Sequence, residues 1–173
     1  MAEFKIYLIG FMGCGKTYTG QRLAARLRLD FLDLDQWIEE QTGRGISDIF
    51  RQDGEPAFRQ MEREFLRKLE NKTNLLVATG GGTPCYHENM SWMCSNGLVI
   101  YLKASPGILL HRLTPVAASR PLLAHLSAGE LHSYIERKLA ERVPFYESAH
   151  LVFEQFSGEE DSAVELGNYL KRY

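Results

Sequence analysis

The chain has 173 residues, of which 45% are hydrophobic and 24% charged, and a net charge of −2. This is a one-domain length with enough apolar content for a sizeable core. The charge offers no basic field for nucleic acid or an anionic membrane, so an anionic small molecule would have to be met by local arginines. Cys14, Cys85 and Cys94 are too few and too scattered for a disulfide framework or a zinc site, so a reducing, cytoplasmic setting is expected.

The opening MAEFKIYLIGFMGCGK carries an apolar run too short and too cut by glycine for a signal segment or a membrane span. Phe4–Ile9 within it reads as a buried strand, and Thr17–Leu27 as a helix with Leu23, Ala24 and Leu27 at helical spacing. Phe31–Asp33 reads as a second strand. From about 35 to 70 the texture is helical, with breaks near Gly43–Gly45 and Gly54–Pro56. Leu75–Thr79 is a third strand running into Gly80–Gly82, and Leu98–Leu102 a fourth, followed by a helix start at Ser105–Pro106. About 113–129 is irregular, contains Arg120, and suits a lid. His150–Phe153 is a weaker fifth strand and Glu159–Lys171 a closing helix. Strands alternating with helices predict an α/β three-layer sandwich, with a five-stranded parallel sheet flanked by helices.

Gly10–Thr17, GFMGCGKT, satisfies GxxxxGK[ST], the phosphate-binding P-loop. Its glycines let backbone N–H groups aim at phosphate oxygens, and the following helix adds its N-terminal dipole. Lys16 can reach the β- and γ-phosphates of ATP, and the Thr17 hydroxyl can ligate Mg²⁺. Gly13, Cys14, Gly15, Lys16, Thr17 and Tyr18 are the expected nucleotide contacts, Cys14 only as a small residue in the loop. The third strand ends without a Walker-B aspartate. The acids follow the second strand instead, as Asp33-Leu34-Asp35. On an extended segment these two side chains point the same way, one toward water on Mg²⁺ and the other toward an acceptor hydroxyl. A helix N-cap with a charged first turn is the competing reading, since Asp35 precedes QWIEE. No DxxG and no NKxD occur, which argues against a switch GTPase.

The order GFMGCGKT, DLD, TGRGISDIF, GEPAFRQME, TGGG, SRPLL, ERVPFYESA resembles the shikimate kinase family from Phe4 to about Ala149. The resemblance implies ATP-dependent phosphorylation of the shikimate 3-hydroxyl, a step toward chorismate and the aromatic amino acids, with ATP and Mg²⁺ as cofactors. It implies Asp35 as base and acceptor contact, and Asp33 as organiser of Mg²⁺ through water. Arg59 and Arg142 resemble the arginines that take the shikimate carboxylate, and Gly80, Gly81 and Gly82 the loop on which shikimate rests. Arg120 resembles the lid arginine that reaches the ATP phosphates, and Arg112 an arginine near the adenine. Lys16, Asp35 and Arg120 are thus the expected catalytic group, and Thr17 and Asp33 the metal group. Two stretches depart from the pattern. Leu113–Ser119 reads LTPVAAS where glycine is expected, and the tail HLVFEQFSGEED lacks the Asp-Thr and basic residue that often close the nucleotide site.

The chain is expected to act as a monomer on a small molecule. Gluconate kinase shares the cradle, but the DLD, FRxxE and TGGG set argues against it. A nucleotide-binding regulatory module without activity would have lost Lys16, Asp35 or an arginine, and all are present. The histidines form no metal pattern, and Trp37 and Phe50 suit either core or acceptor pocket.

Overall fold

The computed structural model describes residues 4–120, 122–155 and 162–171. In chain order the elements are β1 (Lys5–Ile9), α1 (Lys16–Leu27), β2 (Asp30–Asp33), α2 (Leu34–Thr42), α3 (Ile46–Arg67), β3 (Leu75–Ala78), α4 (Asn89–Asn96), β4 (Leu98–Lys103), α5 (Pro106–Leu113), α6 (Ala128–Tyr146), β5 (Leu151–Glu154) and α7 (Ser162–Leu170). Short 3₁₀ turns cover Thr83–Cys85 and Thr114–Ser119.

The five strands form one parallel sheet in the order β2-β3-β1-β4-β5. Tyr7 at its centre is in register with Val77 on one side and Val99 on the other. β1 and β3 are buried at every position, as a parallel strand covered by helices on both faces requires. Helix α1 packs on β1, β2 and β3 and pairs with α7, while α4 packs on β4 and α5 on α6. Because all strands run the same way, the segments after β1, β2 and β3 emerge together at the carboxyl edge, where open α/β sheets bind ligands.

The expected breaks in the 35–70 region are both present. Gly43 closes α2 in the left-handed region at φ 66°, and Gly54, at φ 83° and ψ 168°, kinks α3 just before Pro56. Other boundaries moved. β2 stops at Asp33, so Asp35 lies in the first turn of a helix and not on an extended segment. Asp33 is the N-cap, its carboxylate accepting from the N–H groups of Asp35 and Gln36. Helix α4, NMSWMCSN, has too little periodicity to be found by pattern and buries only Asn89, Met90 and Met93. The expected lid interval overlaps α6, which opens with a capping box: Ser127 accepts from the Glu130 N–H, and the Glu130 carboxylate from the Ser127 N–H. The expected fifth strand is shifted by one residue, and 159–161 of the expected closing helix, like Pro121 of SRPLL and 156–161 of the divergent tail, lie outside the described residues.

Candidate active site

The P-loop leaves β1 at Gly10 and turns through Gly13 and Gly15, with φ of 143°, 81° and 93°. A Cβ on Gly10 would lie 2.7 Å from the Leu102 carbonyl oxygen, and one on Gly13 would lie 2.9 Å from Leu113, so the close wrap needs glycine at both. Lys16 opens α1 and is buried. Its Nζ donates to the carbonyls of Gly10 at 2.8 Å and Phe11 at 3.0 Å, with the buried Cys14 Sγ at 3.8 Å. The Thr17 hydroxyl donates to Asp33 Oδ2 at 2.6 Å, while Asp33 Oδ1 caps α2. Asp33, and not Asp35, is thus the helix cap, and its two oxygens are divided between partners. One makes the helix cap, and the other joins the hydroxyl that starts α1.

Asp35 turns into a cavity of about 110 Å³ beyond the P-loop. Its Oδ1 is shielded from solvent and has no hydrogen-bond partner. Burial, then the charges of Glu62 and Asp33, push its carboxyl up to about 7, against the pull of Lys16 and Arg59. Arg59, Gly80, Gly81, Gly82, Arg120 and Arg142 line the same cavity, with Met12, Ile46, Phe50 and Phe58 as its apolar wall. The two halves of the site meet at the glycine loop after β3: a Cβ on Gly81 would stand 3.0 Å from the Met12 N–H nitrogen of the P-loop.

Helix α3 presents Arg59 and Glu62 one turn apart on its buried face. Arg59 Nη1 donates to Glu62 Oε2 at 2.7 Å, and Thr83 donates to Glu62 Oε1. Glu62 has no exposed surface, and burial raises its carboxyl despite the Arg59 charge. Arg142 enters from α6, lies 5.3 Å over the Phe11 ring, and keeps Nη1 shielded and unpartnered. One turn on, the fully buried Tyr146 stacks on Tyr101 at 4.9 Å and donates its hydroxyl to the Gly81 carbonyl. Tyr146 thus both packs α6 on the sheet and holds the glycine loop. Cys85, just past that loop, is half-buried. Burial pushes its thiol up to about 11, opposed by the nearby charges of Arg142 and Arg59.

The remaining predicted residues are placed as follows. Arg120 stands in the wall of the same cavity as Asp35, with its Nε shielded and unpartnered. Arg112 braces the P-loop from outside, donating from Nη1 to the Cys14 carbonyl at 3.2 Å and to Gln155 Oε1 at 2.9 Å. Tyr18 is 58% exposed on α1 beneath the Arg22 guanidinium and does not line the cavity. Phe50 lines the cavity beside Phe58, whereas Trp37 packs edge-on against Phe65 in the core. Residues that pattern reading passed over are Glu55 and Tyr86 beside Arg59, and Gln155 beside Arg112. Only Glu55, four residues before Arg59 on a helix, carried a usable signal.

The shikimate kinase family model matches residues 12–170. The shikimate kinase of Parabacteroides distasonis is 40% identical over 150 residues, 87% of each chain. That of Pelotomaculum thermopropionicum is 40% identical over 169 residues, 97% of this chain and 96% of the other. Among solved structures, the crystal structure of shikimate kinase from Bacteroides thetaiotaomicron superposes with a TM-score of 0.91 at 34% identity, covering 98% of this chain and 99% of that one. The shikimate kinase from Acinetobacter baumannii in complex with shikimate gives a TM-score of 0.88 at 34% identity, covering 99% and 92%. Likeness of this extent takes in the P-loop end of the sheet and the arginine-bearing helices alike, and the chain belongs to the shikimate kinase family.

Proposed function

We propose that the protein transfers the γ-phosphoryl group of ATP to the 3-hydroxyl of shikimate, giving shikimate 3-phosphate. The observation that carries this reading is the cavity in which an unpartnered carboxylate oxygen of Asp35 faces Arg59 and Arg142 across a glycine loop, next to a P-loop. Two guanidiniums suit a small planar carboxylate, and the glycines let a substrate approach the backbone closely.

Lys16 now rests on the carbonyls of its own loop. Nucleotide phosphates would exchange these neutral acceptors for charged ones, a stronger bond that survives into the transition state. Asp35 takes the proton of the acceptor hydroxyl, and a carboxyl near 7 is poised to do so at neutral pH. Arg120 neutralises charge on the transferring group and, with the segment 113–129 as a lid over the helical 35–70 acceptor region, excludes water. Arg112, held to the loop and to Gln155, suits a contact near the adenine. The Thr17 hydroxyl and the Asp33 carboxylate, 2.6 Å apart, form a hard-oxygen pair that fits Mg²⁺, Asp33 acting through water. When bound there the ion would neutralise phosphate charge. Every side chain invoked comes from one chain, so a monomer suffices. The three free thiols favour a reducing compartment such as the cytoplasm.

A coupled ADP-release assay against a panel of hydroxy acids tests this reading. Turnover is expected with shikimate, and turnover with gluconate instead would overturn the acceptor assignment while leaving the kinase assignment standing.

A further inference from the structure

Arg59 is more crowded than a carboxylate receptor needs to be. A guanidinium has five N–H groups, and three are already committed here. Nε and Nη2 donate to a single oxygen, Oε1 of Glu55, at 3.1 and 2.8 Å, and Nη1 donates to Glu62 Oε2 at 2.7 Å. One N–H remains on each terminal nitrogen, the number a bidentate carboxylate takes. The Tyr86 ring lies 4.7 Å from the guanidinium carbon, and its hydroxyl donates to the same Glu55 Oε1 at 3.4 Å.

The two acids differ in setting. Glu62 is fully buried and shared with Thr83, so it belongs to the interior. Glu55 is 41% exposed, and all its bonds to this cluster fall on one oxygen. Burial alone would lower the Arg59 pKa, but Glu62 and Glu55 together hold it above its ordinary value. A third carboxylate arriving at Arg59 therefore meets two already there. Glu55 acts on it in two opposed ways: its oxygen keeps the guanidinium in place, and its charge repels the newcomer.

We propose that Glu55 sets the strength of carboxylate recognition, orienting Arg59 through Oε1 while its charge limits how tightly a monoanionic acceptor is held. The inference rests on shikimate being the acceptor. The carboxylate is untouched by the reaction, so a tighter grip on it would hold substrate and product alike and gain nothing in turnover. A restrained grip at Arg59 serves release.

The experiment measures equilibrium binding of shikimate, and of its neutral carboxamide, to the nucleotide-free protein by calorimetry for the wild type, Glu55→Gln and Glu55→Ala. Gln keeps the acceptor oxygen and removes the charge, whereas Ala removes both. The expected result is that Glu55→Gln binds shikimate ~3- to 10-fold more tightly than the wild type, that Glu55→Ala binds it less tightly than Glu55→Gln, and that the carboxamide distinguishes the three by less than about twofold. In turnover Glu55→Gln should lower the shikimate KM without raising kcat. Equal or weaker shikimate binding by Glu55→Gln overturns the proposal, as does a carboxamide response as large as that of shikimate. A wild type that binds no shikimate overturns the acceptor reading beneath it. Unfolding midpoints should coincide for the wild type and Glu55→Gln, given the exposure of the side chain.

Discussion

The catalytic role proposed for Asp35 comes with a cost to the fold. Its carboxyl is pushed from 3.8 up to about 7 in the folded protein, first by burial and then by Glu62 and Asp33. Between those values the folded protein keeps a proton that the unfolded chain has released, so stability falls as pH rises through that window. Asp35→Asn should then raise the unfolding free energy at pH 8 by on the order of 2–4 kcal/mol, and much less at pH 4, while cutting turnover about 10²–10⁴-fold. An Asn variant that melts earlier than the wild type at pH 8 would mean that the carboxylate is satisfied after all. In the wild type, kcat/KM for the acceptor should climb with pH through about 7, since only the ionised form accepts the proton. Lys16→Met should abolish transfer in a protein that still folds, and normal turnover would remove the P-loop from the mechanism. The types of these residues were legible in the sequence because the P-loop spacing is so constrained. The division of labour within DLD was not. Which acid caps α2 depends on where β2 ends, and in the structure one Asp33 oxygen makes the cap while the other accepts from the Thr17 hydroxyl.

At the scale of elements, the acceptor role proposed for the glycine loop after β3 rests on backbone shape. A Cβ on Gly82 would stand 2.5 Å from Arg59 Nη2 and 2.7 Å from Nη1. That guanidinium cannot simply move aside, because Glu55 and Glu62 hold it from α3. Gly82→Ala should therefore raise the shikimate KM at least about tenfold, the loss of one well-made charged contact, with the ATP KM changed by less than about twofold. A comparable rise in both constants would show a collapse of the sheet edge and not a local clash. The strands and breakers around this loop were readable, since buried parallel strands are short apolar runs and the glycine breaks fell at 43 and 54 as expected. Helix α4 was not, because it is anchored by Asn89, Met90 and Met93 without an amphipathic stripe. The Ser127–Glu130 capping box was visible in the sequence, but the small residues around it read as part of a lid.

The whole molecule gathers its site from distant parts of the chain. The P-loop, the acids and the glycine loop come from the ends of β1, β2 and β3, while Arg142 arrives on α6 and Arg120 on the segment before it. Long-range convergence of this kind leaves no trace in local pattern, and the acceptor assignments came from ordered motifs, not periodicity. Arg120 stands in the wall of the Asp35 cavity here, so Arg120→Ala is a test of the lid. If 113–129 closes over the phosphates, the variant should lose turnover by about 10²-fold or more with shikimate binding to the nucleotide-free protein little changed. Equal loss in both would make Arg120 a fixed acceptor contact. The thiols of the molecule set how it meets electrophiles. Cys14 is sealed in the P-loop, burial raises the Cys94 thiol, and Cys85, the thiol beside the acceptor glycine loop, is pushed to about 11. Two units above an ordinary thiol leaves roughly 100-fold less thiolate at neutral pH. Iodoacetamide should accordingly modify the folded protein at Cys85 at least about 100-fold more slowly than the unfolded chain, and rapid labelling with loss of activity would contradict that environment. Covalent warheads aimed at the acceptor pocket through its neighbouring cysteine would meet a protonated sulfur, which leaves the paired arginines as the handle for inhibitor design.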